Sequence, residues 1–251
     1  MGRAAAKANR ERAIRDYYAA LLGRWGAQHW WPAQSRFEVI VGAFLTQNTA
    51  WTNVEKALRR LRQARKLSLA GVRATPEPEL AELIRSSGYY RQKAHRLKRF
   101  VAWLDAEYGG SLDRMFAQPT GKLRAELLAL HGVGPETADS ILLYAGNHPV
   151  FVVDAYTRRI FERHKLVSKK VKYDELRVLV EGSLSRAGES PAAPTLGTDP
   201  MHPPSRMSRA ARGELAQHFN EFHGLIVRTA KDHCATRPNC AGCPLEKYLP
   251  R

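Results

Sequence analysis

Cysteine is scarce in this chain: three residues in 251, all between positions 234 and 243. Such a set does not make the disulfide scaffold of a small secreted domain. Long apolar runs are missing as well, and no stretch approaches the roughly 18 residues that a membrane span needs. The start, MGRAAAKANRER, carries charge with no apolar segment behind it, so it does not read as a secretory signal. Strand patterns are nearly absent too. VFVV at 150–153 is the clearest candidate, and it is too short to build a sheet. Acidic residues are outnumbered, with 24 Asp and Glu against 40 Lys and Arg, for a net charge of +16. A chain that basic is expected to meet a polyanion, most commonly nucleic acid.

What is present is helical periodicity almost throughout. Val54, Leu58 and Leu61 recur at helical spacing, as do Leu97, Phe100, Val101 and Leu104, and then Ala138, Ile141, Leu142 and Ala145. The opposite faces are basic: Lys56, Arg59, Arg60 and Arg62 on one, Arg91, Lys93, Arg96, Lys98 and Arg99 on another. Each run by itself is more readily a solvated helix face than a nucleic-acid contact. Residues 185–209 hold five prolines among Ser, Gly and Thr, a composition expected to form a flexible surface insertion between helices. The first ten residues are expected to fray. The class expected is all-α.

Two short stretches stand out. LHGVGPETAD at 130–139 reads as one helix ending, a turn at His131–Gly134, and a second helix opened by Pro135, which suits a first helical turn. Glycines at 132 and 134 let backbone approach a ligand closely, and amides at the head of a helix attract phosphate. Glu136 and Asp139 would complement the helix dipole. A tight helical connection is the plainer reading. Twenty residues past Gly134, the apolar run PVFVV closes on Asp154, which suits either a helix N-cap or a partly desolvated reactive carboxylate.

Together these stretches resemble the helix-hairpin-helix/GPD superfamily of DNA glycosylases, the endonuclease III group. LTQNTAWTNVEKAL at 45–58 is similar to that group's first barrel helix, and CATRPNCAGCPL to its iron–sulfur loop. The resemblance runs over residues 37–245, interrupted at the proline-rich insertion. It implies two helical domains: a six-helix barrel at 38–148 carrying the hairpin, and a second formed by 1–37 with 149–251, with Asp154 at their junction. It implies binding of double-stranded DNA containing a damaged base, by a monomer, in the cytoplasm with the nucleoid. A base inside a duplex must be flipped out before chemistry can reach it. By match to the family, Gln47 would fill the gap, with Asn48 beside it, while His131, Gly132, Val133, Gly134 and Thr137 would hold phosphates. Thr46 or Asn48 could equally cap a helix.

The resemblance also makes Asp154 the catalytic residue, stabilising an oxocarbenium-like sugar and orienting water. Members that nick DNA use a lysine just after Gly-Val-Gly-x to form an imine; Glu136 stands there instead and cannot. The expectation is a monofunctional glycosylase, with Glu136 in the base pocket. GYYRQKAHRL at 88–97 and NEFHGLIVRTAK at 220–231 resemble the branch that removes 3-methyladenine, so an alkylated purine is the expected lesion. Trp25, Trp30, Trp31, Trp51 or Tyr90 could stack on such a base. The alternatives are a glycosylase for an oxidised pyrimidine or mismatched base, or a non-catalytic damage-binding relative. Cys234, Cys240 and Cys243 are the candidate metal ligands, implied for a [4Fe–4S] cluster. A complete thiolate shell needs four, and the fourth family position is Leu249. Zinc held by three thiols and His233 is the other candidate.

Overall fold

The computed structural model describes residues 3–185 and 201–250. Among these residues there are twelve α-helices and no strand. The chain divides into two compact units, Ala33–His148 and the remainder, Met1–Pro32 with Pro149–Arg251. No helix of the described residues is long and apolar enough to cross a membrane.

The Ala33–His148 unit contains α2 (Arg36–Leu45), α3 (Trp51–Gln63), α4 (Leu69–Ala74), α5 (Glu77–Leu83), α6 (Tyr90–Tyr108), α7 (Leu112–Phe116), α8 (Thr120–Ala129) and α9 (Pro135–Ser140). Helix α2 is its axis: every residue from Phe37 to Leu45 is buried. Ser35 starts it by accepting the amide of Glu38 at 3.1 Å. Helix α9 runs on into a π-turn, Ile141–Ala145, whose residues are all buried, so the segment expected to bury one stripe at 138–145 is in fact buried all round. The wide turn closes where the Gly146 amide reaches Ile141 O and Leu142 O, both at 3.1 Å. A Cβ on Gly146 would lie 2.4 Å from the Phe116 ring, which explains a glycine at this point.

Two of the lysines expected on the basic face of α6 turn inward. Lys93 is buried and donates to Leu45 O at 2.8 Å and Ser87 O at 2.6 Å. Burial lowers its pKa to about 8, with Arg96 adding in the same direction. Lys98 donates to Val72 O, Arg73 O and Thr75 O, closing the end of α4. A cation among orphan carbonyls at a helix terminus is worth more than the same cation in water.

The second unit holds α1 (Arg3–Trp25), α10 (Ala155–Arg163), α11 (Tyr173–Leu184) and α12 (Glu214–Asp232). The fraying expected of the first ten residues is not found among the described ones, because α1 already begins at Arg3. Ile14, Tyr17, Tyr18, Leu21 and Trp25 bury its inner face, and those contacts outweigh the weak start. VFVV is buried and extended but is not a strand. It has no neighbouring strand, and side chains from α11 take its amides: Phe151 N donates to Glu181 Oε1 at 2.9 Å and Val153 N to Tyr173 Oη at 3.2 Å. Of the proline-rich insertion, residues 186–200 lie outside the described residues. Its far end is packed, not loose: Met207 is buried, and Ser205 Oγ donates to Trp31 O at 3.2 Å.

Replacing Lys93 with Met should keep the packed volume but strip two buried carbonyls of their donor. We expect a loss of about 2–4 kcal/mol in unfolding free energy, measured by urea titration at pH 7. Equal midpoints for the two proteins would show the ammonium to be dispensable.

Candidate active site and DNA-binding hairpin

The carboxylate of Asp154 caps α10. Its Oδ1 accepts both the Thr157 amide at 2.7 Å and the Thr157 hydroxyl at 2.9 Å. Its Oδ2 lies 3.4 Å from His223 Nε2 of α12, and only 13% of the side chain is exposed. Burial pushes the Asp154 pKa up, but the charge and hydrogen bond of His223, with the two Thr157 donors, outweigh it and hold the group below the usual carboxylate range. This pairing therefore contributes stability above the unfolded carboxylate pKa and loses it as pH falls through the depressed one. The two readings of Asp154 therefore do not compete. The N-cap consumes Oδ1, and Oδ2 faces His223. Around His223 stand Trp30, with ring centroids 6.3 Å apart, and Phe151, at 6.1 Å.

In the other unit, the hairpin joins α8 to α9 through Leu130–Gly134. His131, Gly134 and Glu136 are exposed and Gly132 is half-buried, whereas Val133 and Thr137 are turned into the protein. Val133 and Thr137 can thus present backbone, but not side chains, to a phosphate. Asp139 is fully buried and paired with Arg124, at 2.7 and 3.1 Å, so it is a core ion pair and not a dipole complement. Gln47 lies in the turn after α2 and is tied to the hairpin: its Nε2 donates to Gly132 O at 3.0 Å and Thr137 Oγ1 at 2.9 Å. Arg96 Nη1 donates to Gln47 Oε1 at 2.6 Å. Asn48, next to it, is exposed in the left-handed region with φ 53° and caps nothing with its side chain. Gly132 has φ +82°, and a Cβ there would sit 2.1 Å from Arg96 Nε. The glycine serves the approach of Arg96 as well as the turn.

The aromatic candidates separate clearly. Trp25 is covered on both sides, by Arg228 4.9 Å from its centroid and by His233 stacked at 6.2 Å. Trp31 is buried, Trp51 donates to Glu55 at 3.0 Å, and Tyr90 lies beneath Arg85 and Arg91. Trp30 stands against His223, the partner of Asp154.

The three cysteines are free thiols. Among the described residues, no group of three or more His, Cys, Asp and Glu could hold a metal ion. His233 Nδ1 is engaged with Asn239 O at 3.2 Å. With Leu249 at the fourth family position, this donor set does not fit a four-thiolate cluster. The loop has another anchor. Arg163 of α10 donates to Cys234 Sγ at 3.0 Å, Ala235 O at 2.7 Å and Thr236 O at 2.9 Å. Burial pushes the Cys243 thiol up, and the neighbouring Cys240 and Cys234 add to the shift.

Residues 41–185 match the HhH-GPD superfamily of base excision DNA repair proteins. The chain belongs to this family. A Methanocaldococcus jannaschii protein assigned as a DNA repair glycosylase is 38% identical over 243 residues, 96% of this chain and 98% of that one. Endonuclease III of Thermotoga maritima is 35% identical over 127 residues, 51% of this chain and 55% of that one. Among solved structures, the H. pylori 3-methyladenine DNA glycosylase bound to 1,N6-ethenoadenine has a TM-score of 0.70 at 30% identity, covering 88% of this chain and 97% of that chain. A trapped endonuclease III–DNA covalent intermediate shares the fold with a TM-score of 0.68 at 22% identity, covering 95% and 93%. The fold is thus endonuclease III-like, and the HhH-GPD protein described here is a base excision repair DNA glycosylase.

Sequence reasoning missed His223, Thr157, Arg96 and Arg163. Thr157 had a signal, since a capping side chain bonds the amide two or three residues on. The other three are brought to their partners by tertiary contacts with no local signature.

Gly132→Ala should strain the turn and displace Arg96, weakening binding to a duplex containing a tetrahydrofuran abasic analogue by about tenfold. Fluorescence anisotropy measures this; unchanged affinity would count against the close approach. Arg163→Met should free the cysteine loop, so that Cys234 alkylates faster with iodoacetamide by mass spectrometry, whereas preincubation with a chelator should leave the wild-type rate unaltered.

Proposed function

We propose that this glycosylase hydrolyses the C1′–N bond of a cationic, alkylated purine such as 3-methyladenine and leaves an intact abasic site. The single observation that carries the reading is Glu136. It is an exposed carboxylate at the hairpin position where lyase members of the family have their imine-forming lysine. A carboxylate cannot form an imine, and it attracts a positively charged base. The solved glycosylase at 30% identity, bound to a modified adenine, supports the same lesion class.

The chemistry asks for little acid catalysis. The bond breaks with its electron pair passing to the cationic base, which departs neutral, and positive charge develops at C1′. Asp154 stabilises that charge, orients a water and takes the proton as the oxygen bonds to C1′. The exposed amides of the hairpin and the outward cations of α3 and α6 supply salt-sensitive affinity for the duplex. Gln47 and Asn48 are the residues to enter the flipped-out gap. For Gln47 this means exchanging its bonds to Gly132, Thr137 and Arg96 for contacts with DNA. The protein acts as a monomer in this reading.

Asp154→Asn isolates the chemistry, because asparagine is as good an N-cap as aspartate and should preserve α10. We expect excision of 3-methyladenine from an end-labelled duplex to fall by at least about 100-fold, with a thermal midpoint close to wild type. Wild-type product should break only after alkali. Strand nicking without alkali would refute the monofunctional reading, and activity confined to thymine-glycol, uracil or mismatch duplexes would move the lesion.

A further inference from the structure

We propose that His223 is a positioning residue for Asp154, fixing the carboxylate so that a single lone pair of Oδ2 is left for the attacking water. The inference rests on the reading of Asp154 as the catalytic carboxylate and extends it to a residue in another helix.

A carboxylate oxygen accepts about two hydrogen bonds. Oδ1 already has two, from the Thr157 amide and hydroxyl at 2.7 and 2.9 Å. That oxygen is saturated and cannot serve a substrate. Oδ2 lies 3.4 Å from His223 Nε2, which comes from α12. Thr157 by itself holds one oxygen and leaves the carboxylate plane only partly determined; a second donor on the other oxygen fixes that plane. One acceptor direction on Oδ2 then remains, and it is the only one that can address water or C1′. At 3.4 Å the contact is longer than an ideal hydrogen bond, as contacts between catalytic groups often are before substrate binds.

The imidazole is itself held in place. It is buried, flanked by Trp30 and Phe151, and followed by Gly224, where a Cβ would meet the Trp30 side chain at 3.0 Å. A glycine at 224 lets Trp30 close on this face of α12 beside His223. Simple space-filling would be served by leucine or phenylalanine. A buried imidazole aimed at a buried carboxylate has the further effect of stabilising the anion, and the depressed pKa of Asp154 agrees with this.

The test compares His223→Gln with His223→Met, two side chains of similar length and volume that differ in carrying an N–H donor. Single-turnover excision of 3-methyladenine is measured with enzyme in excess, alongside the Kd for a tetrahydrofuran duplex and the thermal midpoint. We expect Met to lower the single-turnover rate by about 10–100-fold, the factor carried by one hydrogen bond to a charged group, and Gln to recover most of it. Kd should stay within about twofold for both, since DNA affinity resides elsewhere. Equal rates for Gln and Met, whether both high or both low, overturn the proposal, as does a Met defect confined to Kd. Should the Met protein be unfolded at the assay temperature, Gln decides alone: a rate within about tenfold of wild type supports positioning, and a deeper loss at unchanged Kd overturns it. Asp154→Asn run beside them separates the two ideas. If Asp154→Asn stays active, the catalytic reading itself fails. If it is inactive while both His223 variants match wild type, only the role of His223 falls.

Discussion

A carboxylate that must stay charged where water is scarce sets the terms for one whole unit of this protein. Burial favours the protonated acid, which could neither stabilise a cationic sugar nor accept a proton from water. Asp154 is held as an anion by two hydrogen bonds from Thr157 at the head of α10 and by the His223 imidazole of α12, 3.4 Å away. The extended segment that delivers it, 150–153, is buried without a sheet because α11 supplies acceptors for its amides through Glu181 and Tyr173. A helix start, a helix middle and a strandless extended run thus all serve one charge.

The other unit solves a different problem, which is how to present backbone to a polyanion without leaving the backbone loose. Its exposed turn is thin, two glycines and a histidine around an inward valine, and a thin turn needs support from behind. Gln47 and Arg96 provide it by binding the hairpin and each other. Lys93, one turn earlier on α6, holds the end of α2 from which Gln47 emerges. Basic residues that look interchangeable on a helix face have in fact been divided. Some stay on the outer face, and others hold carbonyls inside the fold.

The cysteine loop shows an old pattern under a new constraint. Three thiols without a fourth ligand do not make the family's cluster shell, and the guanidinium of Arg163 gathers the same stretch of backbone through carbonyls and a sulfur. A planar cation with five donors can organise a loop in this way where a lysine could not.

Much of this was legible from the amino-acid sequence. Helical periodicity and the want of strand patterns determined an all-α chain. Gly-Val-Gly-Pro determined the hairpin, since few residues tolerate its backbone, and the family resemblance pointed to Asp154 as the candidate catalytic carboxylate. Glu136 spoke against an imine by chemistry alone. Other features were decided only in three dimensions. Periodicity reports which face of a helix is buried but not what that face meets, so Lys93 and Lys98 read as solvated cations until their carbonyl partners were in place. VFVV had the residues of a strand but no strand beside it. His223 is 69 positions from Asp154, a pairing that no local rule could reach. Local backbone chemistry settled where the turn and the carboxylate would be. Only the packing of distant helices settled which groups meet each oxygen of that carboxylate.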